Sequence, residues 1–356
     1  MTGSPRLKLS LLELPIYKAG ARPDAGTLAF ARLASNEVPF APLPAVLRAV
    51  MSAAGELNRY PDPASEVLIA ALSRHHDVHE GQIAVGTGSV AIGAQLVQVT
   101  AERGDEVVFA WRSFEAYPIF AGLAQAVSVA VPLDSGGRHD LDAMLAAVTS
   151  RTRAIFLCSP NNPTGPTITH DDALRFCDRL PEDVLIVIDE AYREFVTAPD
   201  AVDGIAIARS RPNVCVLRTF SKAYGLAALR VGYAISSTSV IGALRRTATL
   251  FGVNSIAQAA AVESLRASDE LLTRVSEIVR ERERVREALI SARWDVPDAQ
   301  GNFVWLPTGA RTEQFEASAR RAGVLVRAYP QQGCRVTVAG PVDNDRFLAL
   351  AGAASS

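Results

Sequence analysis

The chain contains 356 residues, 49% of them hydrophobic and 21% charged, and its formal net charge is −2. This composition is typical of a globular protein, and the near-zero net charge excludes the strongly basic surface that holds nucleic acid. No apolar run reaches the roughly 18 residues of a membrane span and the polar start MTGSPRLKLS lacks the apolar core of a signal peptide, so we expect a cytoplasmic protein that acts on a small molecule.

After an N-terminal arm of residues 1–30, short apolar and β-branched runs recur from about residue 83 to residue 235. The runs are QIAVG, DEVVFA, VSVAVPL, RAIFLC, VLIVIDE, NVCVLR and VGYAI. Helical patterns separate most of them, and strands that are apolar throughout are typical of a mainly parallel sheet covered by helices on both faces. We therefore predict a large α/β domain over residues 31–254, with a ligand site at the carboxyl ends of its strands.

The C-terminal part of the chain predicts a smaller α/β domain over residues 255–356. A single helix-compatible stretch runs from Ser255 to Ser291, and its second half alternates charges as an exposed helix face does. Three strand-like runs follow it: NFVWLP, VLVRA and CRVTVAG.

The cysteines and histidines do not form a convincing metal or disulfide pattern. The four cysteines make no CxxC pair, and Cys158 and Cys215 lie within strand-like runs, so we expect small core residues. His75 and His79 would share one face of a helix, which is a spacing that metal-binding pairs use. Because no carboxylate motif lies nearby, we expect a solvated helix end there and no metal site.

Lysine is nearly absent from the chain. Only three of the 36 basic residues are lysines, and two of these, Lys8 and Lys18, belong to the N-terminal arm. Arginine replaces lysine as a surface cation, but it does not lose its proton to form an imine. Lys222 is therefore either a surface-loop lysine present by chance or a lysine with a chemical role. The residues around it in the sequence distinguish the two interpretations.

Four of the predicted strands end in polar clusters, and the first of these is GTGSVAIG. Its glycines permit close approach of the backbone to an anion, and the following helix offers free N–H groups to a phosphate. The string also satisfies the dinucleotide pattern GxGxxA at Gly86, Gly88 and Ala91. The acid expected about 20 residues later would be Glu106, which precedes the next strand instead of ending it. This position argues against a dehydrogenase.

The next two clusters are SPNNPTG and DEAY. Asn161, Asn162 and Pro163 fit an ordinary turn. Asp189, in contrast, ends an apolar strand, where burial of the acid is costly unless it meets a cation or a proton donor. A protonated pyridine nitrogen is such a partner, and Tyr192 would reach the same ligand from the next turn.

The fourth cluster, TFSKAYG, places the hydroxyl groups of Thr219 and Ser221 near Lys222, and Arg230 follows in the same segment. Hydroxyl groups and one arginine bind a phosphate monoester well. An adjacent lysine would be held against the molecule that this phosphate anchors. The combination favours a phosphorylated aldehyde as the cofactor.

These strings, in this order and spacing, resemble the signature of fold-type I aminotransferases that use pyridoxal 5′-phosphate (PLP). LASNEVPFAP, RYPDP and CRVTVAGPVDNDRF extend the resemblance to the histidinol-phosphate aminotransferase subgroup over nearly the whole chain. Within that subgroup, GTGSVA, WRSFEAYPI and QGNFVWLP look most like the aromatic amino acid (phenylalanine) aminotransferase branch. The resemblance implies PLP as the cofactor and a mostly parallel seven-stranded sheet in the large domain.

The resemblance also implies roles for individual residues around the cofactor ring. Lys222 would bind the cofactor covalently and carry the proton, and Asp189 would pair with the pyridine nitrogen. Tyr192 and Asn162 would hold the phenolic oxygen of the cofactor. Phe114 would stack on the ring.

Phosphate binding is implied for a further group of residues: Ser89, Val90, Thr219, Ser221 and Arg230. Tyr60 of a neighbouring subunit would join them, which implies a homodimer. Arg335 would bind the anionic group of the substrate, with Asn162 and Arg327 as further substrate contacts. The residues by themselves leave open a turn aromatic at Tyr60, a core residue at Phe114 and structural cations at Arg335 and Arg327.

One departure from the subgroup pattern bears on the substrate. Histidinol-phosphate enzymes usually show GNGSDE, whereas this chain has Val90 and Ala91 at the two acidic positions. We therefore expect transamination between phenylalanine or tyrosine and a 2-oxo acid. Histidinol phosphate stays open as the amino donor, because Arg335 would accept a phosphate in place of a carboxylate. A PLP decarboxylase or lyase also stays open, because the scaffold does not decide which Cα bond breaks.

Overall fold

The computed structural model describes residues 12, 14–17, 20 and 30–354. The strands are β1 (Ala31–Arg32), β2 (Ile83–Gly86), β3 (Glu106–Trp111), β4 (Val127–Pro132), β5 (Thr152–Cys158), β6 (Leu185–Asp189), β7 (Val214–Thr219), β8 (Gly232–Ile235), β9 (Phe303–Leu306), β10 (Val324–Leu325), β11 (Arg327–Tyr329) and β12 (Gly333–Thr337). The α-helices are α1 (Pro44–Ala54), α2 (Glu66–His76), α3 (Ser89–Thr100), α4 (Tyr117–Leu123), α5 (Leu141–Ala146), α6 (His170–Asp178), α7 (Gly204–Ser210), α8 (Thr238–Thr247), α9 (Ser255–Arg266), α10 (Ser268–Ser291), α11 (Thr312–Arg321) and α12 (Pro341–Ala354).

The seven predicted apolar runs form one sheet with the strand order β2-β8-β7-β6-β5-β3-β4. β8 is antiparallel to both of its neighbours, and the remaining pairs are parallel. Every residue of β6 and β7 is buried, because an apolar layer covers each face of the sheet. The mostly parallel seven-stranded sheet expected from the sequence is confirmed.

The carboxyl ends of β2, β3, β5, β6 and β7 meet at one edge of this sheet, because these strands run in the same direction. β8 begins at the same edge. Its first residue, Gly232, packs so closely on the start of α3 that a Cβ atom there would lie 2.5 Å from the Ser89 nitrogen. The polar clusters found in the sequence are therefore brought to one end of the molecule.

A second, antiparallel sheet has the order β11-β12-β9 and lies in the C-terminal part. The run VLVRA does not form the single strand that its sequence suggests. Val324–Leu325 pairs with β1, whereas Arg327–Tyr329 pairs with β12. β1 thus ties the start of the predicted large domain to the C-terminal part, and the division of the chain at residues 30 and 254 stays a prediction.

The prediction of one helix from Ser255 to Ser291 is wrong, because two helices, α9 and α10, occupy this range. They break at Ala267, whose backbone leaves helical geometry at φ −95° and ψ 26° without a glycine or proline to announce it. The break allows α9 to pack on α1 and α2. In α10, the fully buried Arg282 donates hydrogen bonds to the carbonyl oxygens of Phe195 and Gly301, which joins the long helix to both parts of the chain.

The expectation that His75 and His79 share a helix face is also wrong. α2 ends at His76, and His79 caps a short 3₁₀ turn by accepting a hydrogen bond from the Gly81 nitrogen. The described residues contain no group of His, Cys, Asp and Glu side chains suited to a metal ion. The four cysteines are buried and free, as expected. Within the same described ranges, no helix is long and apolar enough to cross a membrane.

Candidate active site

A cavity of about 230 Å³ lies at the carboxyl edge of the large sheet, against β11 and β12 of the smaller one. Every site residue predicted from the sequence lines it, with the exception of Tyr60. These residues are Ser89, Val90, Phe114, Asn162, Asp189, Tyr192, Thr219, Ser221, Lys222, Arg230, Arg327 and Arg335. The fold therefore brings together side chains that are far apart in the sequence.

Asp189 ends β6 as a buried acid with one unsatisfied oxygen. The Tyr117 hydroxyl donates a hydrogen bond of 2.9 Å to Oδ2 of Asp189. Oδ1 is buried and has no hydrogen-bond partner within the described part of the chain. Burial raises the pKa of the carboxyl group to about 6, although the bond from Tyr117 acts in the opposite direction. Asp189 thus offers one acceptor atom to a ligand that carries a proton.

The Lys222 amine lies in the same cavity. It donates a hydrogen bond of 3.2 Å to the Ser35 carbonyl oxygen and lies 5.7 Å from the centre of the Tyr192 ring. Burial, and then the positive charge of Arg335, lower its pKa to about 7. Since an ordinary lysine has a pKa of about 10.4, this amine is far more often neutral at pH 7 and can act as a nucleophile or a base.

The hydroxyl group of Tyr192 is held by a residue from the N-terminal side of the fold. The Asn36 amide donates to it at 3.0 Å, and Asn36 is itself fully buried, with a positive φ of 54°. Thr337 and Asn302 hold Asn36 in turn. Because the Tyr192 oxygen accepts this bond, its own proton remains available to a ligand in the cavity.

An anion site lies where α3 begins. Gly88 precedes Ser89 at the helix N-terminus and has a positive φ of 85°, and a Cβ atom there would lie 2.7 Å from Nη2 of Arg230. Arg230 donates to the Ser221 hydroxyl at 3.2 Å, and the Ser221 amide donates to the Thr219 hydroxyl at 3.1 Å. A helix N-terminus, two hydroxyl groups and a guanidinium are a suitable set of donors for a phosphate.

Two arginines of the smaller sheet enter the cavity. Arg335 is buried and donates to Oδ1 of Asn162 and to the Ala34 carbonyl, both at 2.7 Å. Its Nε atom is buried and has no partner among the described residues. Arg327, in contrast, forms an ion pair of 2.7 Å with Glu115. Within the described part of the chain Arg335 forms no ion pair, so its guanidinium can bind an anionic ligand.

Sequence reasoning missed three residues of the site: Tyr117, Asn36 and Glu115. They belong to the strings WRSFEAYPI and LASNEVPFAP, which entered the sequence argument only through a family resemblance. No pattern of spacing links Tyr117 to Asp189 or Asn36 to Tyr192, because each pair forms through tertiary contact.

The structure also separates neighbours that the sequence treats alike. Asn161 is a turn residue, since its side chain is bonded to Ser113 and Thr164, whereas Asn162 lines the cavity. Val90 lines the cavity, but Ala91 does not. Of the two apolar residues at the acidic positions of the histidinol-phosphate pattern, Val90 therefore contacts the site and Ala91 does not.

The sequence profile of the family described as aminotransferase class I and II matches residues 30–349. The chain belongs to this family. The expected enzyme class and the fold-type I architecture are thereby confirmed, and PLP is the cofactor.

Individual relatives of this aminotransferase cover almost its whole length. A Streptomyces avermitilis protein named aromatic amino acid aminotransferase is 54% identical over 346 residues, which are 97% of this chain and 96% of the relative. A Thermobifida fusca protein of the same name is 52% identical over 350 residues, covering 98% and 96%. The solved histidinol-phosphate aminotransferase of Sinorhizobium meliloti, in complex with pyridoxal-5′-phosphate, is similar with a TM-score of 0.87 and 28% identity, covering 99% and 98%.

The residues of the cavity fit PLP. The unsatisfied Oδ1 of Asp189 matches a protonated ring nitrogen, which would supply both the missing donor and a compensating charge. The donor set at the start of α3 matches a phosphate, and the Lys222 amine, whose pKa is lowered to about 7, matches an aldehyde. These three features surround one cavity, so a single molecule that carries all three groups satisfies them together.

The lowered pKa of Lys222 predicts unusual reactivity in the cofactor-free protein. We expect its acylation by an amine-directed reagent to rise with pH through a midpoint near 7, about three pH units below that of an ordinary lysine. Mass spectrometry of the Lys222 peptide measures this midpoint, with Nα-acetyl-lysine as the internal standard and Lys222→Ala as the blank. A midpoint that coincides with that of the standard would contradict the environment assigned to this amine.

Proposed function

We propose that the protein transfers the amino group of an aromatic L-amino acid, phenylalanine or tyrosine, to a 2-oxo acid. The observation that carries the chemistry is that Lys222, Asp189 and Arg335 line one cavity. The pKa of the Lys222 amine is lowered to about 7, and Oδ1 of Asp189 has no hydrogen-bond partner among the described residues. The relatives that share 48–54% identity with this chain, and are named aromatic amino acid aminotransferases, support the choice of donor. A cytoplasmic location stays a prediction from the sequence.

When it is bound, PLP supplies an acceptor for the electrons of the breaking Cα–H bond. We assign Asp189 Oδ1 to hold a proton on the ring nitrogen, which requires an ionised carboxylate. Lys222 Nζ takes the proton from the substrate Cα, because its lowered pKa leaves a free electron pair near neutral pH. The same amine would deliver this proton to the carbon that carried the aldehyde group of the cofactor. Tyr192 and Asn162 hold the phenolic oxygen.

Arg335 orients the substrate through a bidentate contact with its carboxylate. Val90 and Tyr329 give the same cavity apolar and aromatic surfaces against which a substrate ring can pack. Because both half-reactions use this one carboxylate site, amino donor and oxo-acid acceptor must bind in turn, and ping-pong kinetics are expected.

Histidinol phosphate is the second candidate donor. The structural similarity to a histidinol-phosphate aminotransferase and the presence of a second arginine, Arg327, in the cavity favour it. The ion pair between Arg327 and Glu115 counts against it, since a phosphate would meet a cation that already has an acidic partner.

We also propose a homodimer in which Tyr60 of one subunit reaches the phosphate site of the other. Tyr60 is 82% exposed and does not line the cavity of its own chain. Its ring stacks on Phe251 at 4.6 Å, beside the exposed Leu250. An aromatic pair of this kind on the surface is suited to burial by a second copy.

The dimer proposal predicts a sedimentation mass of two chains and a loss of cofactor affinity in Tyr60→Phe. Loss of one hydrogen bond to a charged phosphate should raise the PLP dissociation constant by about tenfold to a hundredfold. Equilibrium titration of the apoprotein with PLP measures it. A fully active monomer would contradict the proposal.

The role of Asp189 predicts that Asp189→Asn lowers kcat by at least about 100-fold, because the neutral amide no longer stabilises a charged ring nitrogen. PLP binding should suffer much less, since the phosphate site is untouched. Single-turnover rates and the bound cofactor content of the same preparation separate the two effects. A variant within about threefold of wild type would remove Asp189 from the mechanism.

The choice of donor predicts that phenylalanine and tyrosine have a higher kcat/KM than histidinol phosphate when all are measured with a common 2-oxo acid. Burial of a phenyl ring against apolar surface contributes about 2 kcal/mol, which is about 30-fold in selectivity. A higher kcat/KM for histidinol phosphate would overturn the aromatic assignment and leave the aminotransferase class intact.

A further inference from the structure

A tyrosine hydroxyl group behind the cavity holds the carboxylate that faces the cofactor. Tyr117 is the first residue of α4, is fully buried and donates a hydrogen bond of 2.9 Å to Oδ2 of Asp189. Asp189 lines the cavity and Tyr117 does not. Oδ1 of Asp189 is the oxygen left for a ring nitrogen, since it has no hydrogen-bond partner among the described residues. Tyr117 can therefore act on the reaction through Asp189.

Packing fixes the position of this hydroxyl group. The Tyr117 ring stacks on Phe156 with the ring centroids 4.6 Å apart, and it meets Phe114 edge-on at 5.6 Å. Burial, and then the negative charge of Asp189, raise the pKa of the Tyr117 phenol well above its ordinary value. The group therefore keeps its proton at neutral pH and is a permanent donor to Oδ2 of Asp189.

The surroundings of Asp189 act on its affinity for a proton in opposite directions. Burial raises the pKa of the carboxyl group to about 6, and the hydrogen bond from Tyr117 is the largest effect that lowers it. The other titratable groups that face the carboxylate are those of Cys158, Glu190, Tyr192 and Lys222. Among these, the charge of Glu190 raises the pKa of Asp189 and that of Lys222 lowers it. Tyr117 is thus the side chain that most strongly opposes the effect of burial.

We propose that Tyr117 is a positioning residue whose hydroxyl group binds one oxygen of Asp189 and thereby keeps the proton that Asp189 shares with the cofactor on the ring nitrogen. This inference rests on the proposed function, from which it takes the role of Asp189. A hydrogen bond to the charged form of a carboxylate makes it less basic, and a shared proton lies on the more basic of two groups. Without the hydroxyl group, the bond from the ring nitrogen to the proton breaks and a bond from Oδ1 to the proton forms. The ring is then neutral and accepts the electrons of the Cα–H bond poorly.

The test detects the proton on the ring nitrogen of the holoenzyme directly. Wild type and Tyr117→Phe are reconstituted with PLP that carries ¹⁵N in its ring, and the ¹⁵N NMR resonance at neutral pH is compared with those of protonated and unprotonated free PLP. Wild type should show a protonated nitrogen. In Tyr117→Phe the resonance should move at least about halfway to the unprotonated value, because loss of a hydrogen bond to a charged group changes an equilibrium by about tenfold or more. Phenylalanine keeps the ring that packs on Phe156 and Phe114, so the variant removes the hydroxyl group alone.

Tyr233→Phe is the matched control. Tyr233 on β8 is as fully buried as Tyr117, and its hydroxyl group forms a hydrogen bond of 2.8 Å with Nε2 of His76, away from the cavity. This variant also removes a buried hydroxyl group, and it should leave the ¹⁵N resonance at the wild-type value. An equal change in both variants would mean a general effect of a lost buried hydrogen bond and would overturn the proposal.

Turnover gives a second and independent measurement. Tyr117→Phe should lower kcat by about tenfold to a hundredfold and leave KM within about threefold, since no substrate contact is lost. In an Asp189→Asn background the same substitution should change kcat by less than about threefold, because Tyr117 acts through the carboxylate that is no longer present. Losses of kcat that multiply in the double variant would overturn the proposal.

The wild-type spectrum separates failure of this inference from failure of the proposed function. If the ring nitrogen of wild type carries no proton, the role of Asp189 fails and this inference fails with it. If the ring nitrogen is protonated in wild type and in Tyr117→Phe alike, only the role of Tyr117 fails. Both results are independent of the amino donor, because the spectra are recorded without substrate.

Discussion

The site depends on a buried carboxylate whose hydrogen bonding is incomplete. Asp189 ends a strand that is buried on both faces, and Oδ1 lies in the interior without a donor from the described chain. An unsatisfied buried acceptor destabilises the folded protein by about 1–3 kcal/mol. A protonated ring nitrogen that donates a hydrogen bond to Oδ1 removes this penalty. The end of β6 is thus complete only with its cofactor.

The remaining charges of the cavity are arranged around this acid. Burial and the nearby Arg335 both disfavour a proton on Lys222, which leaves the amine reactive near neutral pH. The residue assigned to hold the substrate therefore also helps to set the state of the residue assigned to move its proton. Replacement of Arg335 would accordingly change two properties of the site, and its effect on substrate binding cannot be read in isolation.

The cavity also joins parts of the chain that belong to different sheets. Asn36 donates to Tyr192 beside the large sheet, while Thr337 at the end of β12 and Asn302 before β9 hold Asn36 in place. β1, which lies shortly before Asn36 in the sequence, pairs with β10. The residue that donates to the Tyr192 hydroxyl is therefore anchored to the smaller sheet, and the same sheet carries Arg327 and Arg335.

The sequence by itself determined the large sheet and the chemistry of its edge, because both are local signals. An apolar run of this length predicts a buried strand. The polar residues that follow it, Asp189 in one case and Ser221 with Lys222 in another, predict a ligand site at the end of that strand. The sequence did not determine the break at Ala267 or the split of VLVRA, since these depend on packing between distant segments. Only the tertiary structure decided that Tyr117 meets Asp189 and that Glu115 meets Arg327. Those partners are separated by 72 and 212 residues, and contacts of that range leave no periodic trace in a single chain.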